Sequence, residues 1–244
     1  AQVGMNFNSM MENMKFQKME NMEVFGTTDP ATFVSGCTQE GDRIVMKAHQ
    51  AAKAAIKSVR PELQIGLTLS LHDIQTAEDG EEAAAKEWSD EFTHYLPFIK
   101  EDDFFGLQNY TRSVIGKDGI QPVPEGAKTT QMDYEYYPQA LGNVIRRVHA
   151  EFAAVGVQMP IMVTENGIAT TEDADRQSFI KEATDGVKVC QKDGIPVIGY
   201  MYWSLLDNFE WQKGYSMTFG LIAVDRTTMQ RSPKKSLEVL GEIA

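Results

Sequence analysis

The sequence of residues 160–203, PIMVTENGIATTEDADRQSFIKEATDGVKVCQKDGIPVIGYMYW, decides the fold class. The apolar run at residues 160–164 predicts a strand, and residues 195–203 predict a second one. Between them, residues 172–193 predict a helix that ends at Gly194. A strand, a helix and a second strand in this order are typical of two parallel strands joined by a crossover helix.

The same order extends in both directions along the chain. Further helices are predicted over residues 43–58, 80–97, 138–155 and 233–243, and further strands over residues 65–71 and 103–110. Residues 111–132 are rich in glycine and proline and predict a hairpin or an irregular loop. About four strand–helix units make half of an eight-stranded barrel, although periodicity alone also permits an open sheet. We therefore predict an α/β fold over a single domain, residues 1–244.

Composition excludes several classes of protein. The formal net charge of −12 argues against a nucleic-acid partner, because binding to phosphates requires a basic surface. The sequence has no apolar run long enough to predict a membrane span. Cys37 and Cys190 lie far apart and lack the spacing of metal ligands. We expect free thiols, no metal, no organic cofactor and a reducing, cytoplasmic compartment.

Polar and aromatic residues follow three of the predicted strands. In parallel α/β folds the carboxyl ends of the strands meet at one edge, and ligands bind there. Carboxylates and amides hydrogen-bond hydroxyl groups, and indole rings stack on the apolar face of a sugar ring. This chemistry predicts a carbohydrate site at that edge. Its candidate residues are Asn109, Tyr110, Thr164, Glu165, Asn166, Trp203, Asp207, Asn208, Glu210 and Trp211.

Several of these segments resemble glycoside hydrolase family 1. Residues 161–167, IMVTENG, are similar to the strand that carries the family's catalytic nucleophile. Residues 202–211, YWSLLDNFEW, resemble its last barrel strand and sugar-binding loop. Residues 103–111, 136–138 and 219–225 are similar to other family segments in the same order. The resemblance begins near Glu40 and implies the second half of a (β/α)8 TIM barrel.

The resemblance also implies a role for each candidate residue. Glu165 is the nucleophile that forms a covalent glycosyl-enzyme, and Tyr110 orients its carboxylate. Substrate binding is assigned to Gln108, Tyr110, Asn166, Trp203, Glu210, Trp211 and Phe219. Gln108 stands where the family often has asparagine. Without this context, the favoured interpretation of Glu165 is a carboxylate at a helix N-terminus. Tryptophans such as Trp203 and Trp211 are more commonly aromatic residues of the core.

The family's acid/base motif, Asn-Glu-Pro, has a different counterpart here, Thr28-Asp29-Pro30. Asp29 would protonate the leaving oxygen from a side chain one methylene shorter than glutamate. An alternative interpretation is a simple turn, which Asp and Pro both favour. No match to the family's first three strand–helix units is found before residue 22.

The resulting functional prediction is a retaining β-glycosidase that acts on β-glucosides or related β-glycosides by double displacement. The alternative is an inactive, truncated half-barrel scaffold that binds sugar weakly. Because half a barrel leaves strand edges exposed, we expect a homo-oligomer that covers them; the alternative is that the N-terminal segment covers the gap. The other expected partner is a small carbohydrate.

Overall fold

The computed structural model describes residues 18–28, 30, 39–211 and 213–243. Asp29 and Cys37 lie outside the described residues. The described part of α1 covers residues 18–25. The remaining helices are α2 (Gln39–Val59), α3 (Glu81–Glu91), α4 (Leu96–Ile99), α5 (Ala140–Ala154), α6 (Asp173–Lys192) and α7 (Lys235–Ile243). None of the helices in these ranges is long and apolar enough to span a membrane.

A four-stranded parallel sheet forms the centre of the structure. Its strands are β1 (Thr68–Ser70), β3 (Phe105–Gln108), β6 (Ile161–Asn166) and β7 (Val197–Tyr202), in the order β1-β3-β6-β7. Helices connect successive strands of this sheet, as parallel pairing requires. The predicted parallel α/β fold class is therefore confirmed, and the arrangement is that of a partial α/β barrel.

The main core lies between this sheet and its helices. Leu107, Ile161 and Val163 on the strands are fully buried, as are Val148 of α5 and Phe179 of α6. Cys190 continues the apolar stripe of α6 and is a buried free thiol. Each helix buries an apolar stripe of this kind against the sheet. This packing orients the strands and their carboxyl ends.

Two short sheets were not predicted from the sequence. A second sheet, in the order β2-β4-β5, consists of β2 (Asp73–Thr76), β4 (Arg112–Gly116) and β5 (Gly119–Ile120). Strands β4 and β5 form the hairpin that was one interpretation of residues 111–132. Strands β8 (Ile222–Val224) and β9 (Arg231–Pro233) pair antiparallel beyond β7. These strands have two to five residues each, too few for a clear alternation of apolar and polar residues.

The predicted helix over residues 80–97 was wrong in its extent. Helix α3 ends at Glu91 because Phe92, with φ −139°, leaves the helical region. A single 3-10 turn, Thr93–Tyr95, follows, and Pro97 then lies in the first turn of α4. Proline is well tolerated at that position, since the amide hydrogens of the first turn have no partner within the helix. Pro97 therefore begins a helix instead of ending one.

Candidate active site

Glu165 lies near the carboxyl end of β6, where an irregularity in the sheet brings it beside Gln108. Leu107 pairs with Val163, yet the next residue, Gln108, pairs with Glu165, so Thr164 is an extra residue on β6. Side chains alternate between the faces of a strand, and one extra residue reverses that alternation. Without it, Glu165 would share the buried face of Ile161 and Val163. With it, Glu165 is half-buried on the face of Gln108.

Two neutral side chains hold the Glu165 carboxylate, one at each oxygen. The Tyr110 hydroxyl donates to Oε2, and Gln108 Nε2 donates to Oε1 at 3.1 Å. Burial raises the pKa of Glu165, and the Tyr110 hydrogen bond opposes that rise. Burial and the charge of Glu165 raise the pKa of Tyr110, so the hydroxyl stays protonated and remains a donor. The two bonds fix the orientation of a carboxylate that has no cationic partner among these contacts.

A second carboxylate, Glu210, lies on the loop that follows β7. Burial raises its pKa, as does the negative charge of Glu165, while a backbone hydrogen bond from Trp211 lowers it. The backbones of Glu210 and Gly214 exchange hydrogen bonds of 2.7 Å and close a short turn. Trp211 is exposed at this turn, with 57% of its surface accessible. The turn thus presents a carboxylate and an indole to solvent near Glu165.

Asn166 occupies a different environment from the one that sugar binding predicts. It is buried, and its Nδ2 donates to the Asn109 carbonyl oxygen at 2.7 Å. Its Oδ1 accepts a hydrogen bond of 2.8 Å from the Tyr200 hydroxyl. Asn109 in turn donates to the carbonyl oxygen of Leu71 at 2.9 Å. The side chains of Asn109, Asn166 and Tyr200 form an amide belt that links Leu71, just after β1, with strands β3, β6 and β7.

Trp203 is anchored to β6, the strand that carries Glu165, through its backbone. Its amide donates to the carbonyl oxygen of Asn166 at 2.9 Å, and its peptide bond to Ser204 is cis. A Cβ atom on Gly167 would lie 1.9 Å from the carbonyl oxygen of Trp203, so only glycine permits this approach. The glycine of the segment Thr-Glu-Asn-Gly therefore sets the spacing between Glu165 and the last strand.

Phe219 supports the site from within the protein. It is buried and packs edge-on against Tyr110, with ring centroids 6.1 Å apart. Its contribution in this structure is to hold the ring whose hydroxyl binds Glu165. The structure thus brings Gln108, Tyr110 and Glu165 into direct contact and places Asn166 and Phe219 behind them.

The side chains that support this edge were not predicted from the sequence. Tyr200 completes the amide belt, Arg176 binds the carbonyl oxygen of Thr218 in the loop after β7, and Lys234 binds Asp207. Each of these three contacts links residues at least 27 positions apart, so local sequence patterns carry no signal for them. In the described parts of the chain, no group of three or more His, Cys, Asp or Glu side chains is arranged to hold a metal ion.

The structure is a segment of a parallel α/β barrel, and its carboxylate site lies at the carboxyl ends of the strands. This is the position of the active site in enzymes of the TIM-barrel class. The sequence model for glycosyl hydrolase family 1 matches residues 97–244. The chain belongs to glycosyl hydrolase family 1, a family of hydrolases.

Relatives with known activities are similar over part of their length. The chain is 28% identical to a β-galactosidase of Sulfolobus acidocaldarius in an alignment 232 residues long that covers 82% of this chain and 46% of the relative. It is 31% identical to a galactolipid galactosyltransferase of Arabidopsis thaliana over 142 residues, which are 58% of this chain and 22% of the relative. The chain therefore spans about half or less of these relatives.

Solved structures are also similar to this chain over about half of their length. The crystal structure of a β-glycosidase matches with a TM-score of 0.80 and 45% identity, over 91% of this chain and 52% of that one. The apo structure of a β-glucosidase matches with a TM-score of 0.82 and 35% identity, over 97% of this chain and 57% of that one. These matches support a partial TIM barrel.

Proposed function

We propose that the protein is a retaining β-glycosidase that cleaves β-glucosides or related β-glycosides by double displacement. The observation that carries the proposal is the oriented carboxylate of Glu165. A retaining enzyme requires a carboxylate that attacks the anomeric carbon and leaves as the glycosyl-enzyme is hydrolysed. The bonds from Tyr110 and Gln108 orient Glu165 without neutralising its charge.

The remaining site residues fit the needs of a sugar. The half-buried carboxylate of Glu210 is suited to accept hydrogen bonds from hydroxyl groups, and the exposed indole of Trp211 offers a stacking face. We propose that Trp203 stacks on the sugar bound next to Glu165. Asp29, proposed as the acid, lies outside the described residues.

The proposal is tested by intact mass after incubation with a 2-deoxy-2-fluoro-β-glucoside that has a good leaving group. Such a reagent requires a competent nucleophile but little acid assistance, and its glycosyl-enzyme is hydrolysed slowly. We expect a mass gain of one fluorosugar on a peptide that contains Glu165. A folded protein that gains no mass at saturating reagent would contradict the glycosidase assignment.

A second candidate is a half-barrel that binds sugar without turnover. It is favoured by the parallel sheet of the described residues, which has open edges at β1 and β7 instead of closing into a barrel. The two candidates differ in their response to azide on an activated aryl glycoside. If Glu165 reacts but no residue serves as acid/base, azide should accelerate turnover. The azide anion attacks the glycosyl-enzyme without needing a base to remove a proton from it. Sugar binding without any turnover, with or without azide, would favour the second candidate.

Tyr110→Phe is expected to shift the pH profile of the fluorosugar labelling rate. The acid limb, where the rate falls as the pH decreases, should move to higher pH. Burial raises the pKa of Glu165 and the Tyr110 bond lowers it, so removal of the bond leaves the pKa higher still. The ionised nucleophile is present above that pKa and is lost as pH falls through it. At a pH on the acid limb, the rate should fall by about tenfold, since hydrogen bonds to charged groups are among the stronger ones.

Tyr136→Phe is the matched control for this prediction. Tyr136 lies away from Glu165, and its hydroxyl contacts Asp175 and Glu182. Its pH profile should superimpose on that of the wild type. An acid limb that stays in place in Tyr110→Phe would show that Tyr110 does not control the ionisation of Glu165.

We also propose that a second copy of the chain covers the exposed edges of the parallel sheet. Within the described ranges, β1 and β7 are the edge strands. Ile198 and Met201 of β7 and Leu205 after it are each about half exposed or more, and so is Ile44 of α2. Pairing with a second copy would satisfy the open backbone groups of these edge strands and would cover the exposed apolar side chains. Light scattering that gives a strict monomer mass of 27.3 kDa would contradict this proposal.

A further inference from the structure

An ion pair lies at the neck of the loop that carries Glu210 and Trp211. Lys234 follows β9, and its Nζ lies 3.0 Å and 3.2 Å from Oδ1 and Oδ2 of Asp207. Both side chains are largely buried, with 17% and 12% of their surfaces accessible. Lys234 also donates to the carbonyl oxygen of Gly220 at 2.6 Å. One ammonium group therefore contacts both ends of the segment between residues 207 and 220.

Asp207 joins the same two ends independently. Its Oδ1 accepts a hydrogen bond of 2.7 Å from the Gly220 amide, and its own amide donates to Ile222 at 3.0 Å. A Cβ atom on Gly220 would lie 2.1 Å from the Asp207 nitrogen, so the two backbones touch at this point. Asp207 and Lys234 thus hold the neck of the loop through their side chains, together with Arg226, whose guanidinium donates to the carbonyl oxygen of Asp207.

The protonated state of Lys234 depends mainly on its contact with Asp207. Burial lowers its pKa, and repulsion from Arg176 lowers it further, while Asp207 opposes both effects. If Lys234 is removed, Asp207 is left as a largely buried carboxylate without its cation. Such a group is costly, and the neck would rearrange to let water reach it.

We propose that Lys234 is a positioning residue that, through Asp207, sets the place of Glu210 and Trp211 over the nucleophile. The inference rests on the proposed function, in which this loop binds the sugar. Lys234 touches neither Glu165 nor Glu210 in the contacts described, so its effect falls on sugar affinity. Loss of a hydrogen bond between a sugar hydroxyl and a charged carboxylate such as Glu210 weakens sugar binding by about 10- to 100-fold.

The first arm of the test compares the kinetics of fluorosugar labelling among three variants. Lys234→Met removes the charge, Lys234→Arg retains it, and Lys235→Met is the control at a neighbouring, exposed lysine. For Lys234→Met we expect the half-saturating reagent concentration to rise about 10- to 100-fold, with the maximal rate retained within about threefold. Lys234→Arg should recover most of the affinity, and Lys235→Met should match the wild type.

The second arm measures hydrogen exchange and requires no activity. In Lys234→Met, exchange should accelerate in residues 207–211 and 213–220 and stay unchanged in β6. Unchanged exchange in the loop, or equal acceleration throughout the chain, would overturn the positioning role. If the wild type is never labelled, the proposed function fails while the exchange arm still decides whether Lys234 holds the loop. A fall in the maximal rate without a change in half-saturation would also overturn the inference.

Discussion

Glu165→Gln is expected to lower the rate of fluorosugar labelling by on the order of 10⁴-fold or more, as loss of a catalytic nucleophile does in other hydrolases. The substitution is nearly isosteric, but it removes the charge and turns one acceptor oxygen into a donor NH2 group. Tyr110 can still donate to the amide oxygen, and Gln108 can turn its own amide to accept from the new NH2 group, so the architecture of the site is retained. The loss therefore reports on nucleophilic attack and not on folding. Intact mass after incubation with the reagent measures it.

Glu210→Gln is the matched control for this prediction. Glu210 is the half-buried carboxylate whose pKa is raised partly by repulsion from Glu165. Its replacement should weaken sugar binding, and so raise the half-saturating reagent concentration, while Glu165 continues to react. Labelling of Glu165→Gln at the wild-type rate, on another residue, would contradict the assignment of the nucleophile.

Arg176→Met is expected to lower the free energy of unfolding by about 3–5 kcal/mol, the range found when one partner of a buried ion pair is removed. Arg176 is 1% exposed. Its guanidinium donates to Asp173 at 2.6 Å and to the carbonyl oxygens of Thr170 and Thr218 at 2.5 Å and 2.6 Å. Methionine fills much of the volume but removes one donor from each of these three acceptors and leaves Asp173 without its cation.

Urea denaturation followed by circular dichroism measures this loss. Arg43→Met is the control, because the Arg43 side chain is 72% exposed and its Glu40 partner is 3.9 Å away. Exposed substitutions of this kind usually change stability by no more than about 0.5 kcal/mol. Equal losses in the two variants would show that the contacts of Arg176 contribute little to stability.

The parallel strands and long helices could be predicted from sequence because burial imposes a simple period on them. Residues 161–163 alternate with the sheet, and α6 shows its apolar stripe from Phe179 to Cys190. The break at Phe92 could not be predicted, since the segment is composed of ordinary helix formers. At this point the packing of Phe92 against Trp88 in the core outweighs the helical preference of the local sequence.

The candidate site was predictable in its residues but not in its geometry. The segment from Thr164 to Gly167 identified Glu165 as a chemical centre. Strict alternation, however, would place Glu165 on the buried face, and only the extra residue at Thr164 moves it beside Gln108. A bulge depends on the register of two distant strands, which no local pattern encodes. The sugar-binding roles of Trp203, Glu210 and Trp211 stay predictions.

The amide belt has a consequence for the chemical ageing of the protein. Asn166 precedes Gly167, and in unstructured peptides an asparagine followed by glycine is the pair most prone to deamidation, because the unhindered glycine amide attacks the side chain. Here Asn166 is buried, lies in β6 and has its amide bound by Asn109 and Tyr200. The folded state therefore protects it. Conversion to aspartate would proceed through opened molecules and would place a new negative charge next to Glu165, so each transient opening would carry a risk of permanent inactivation.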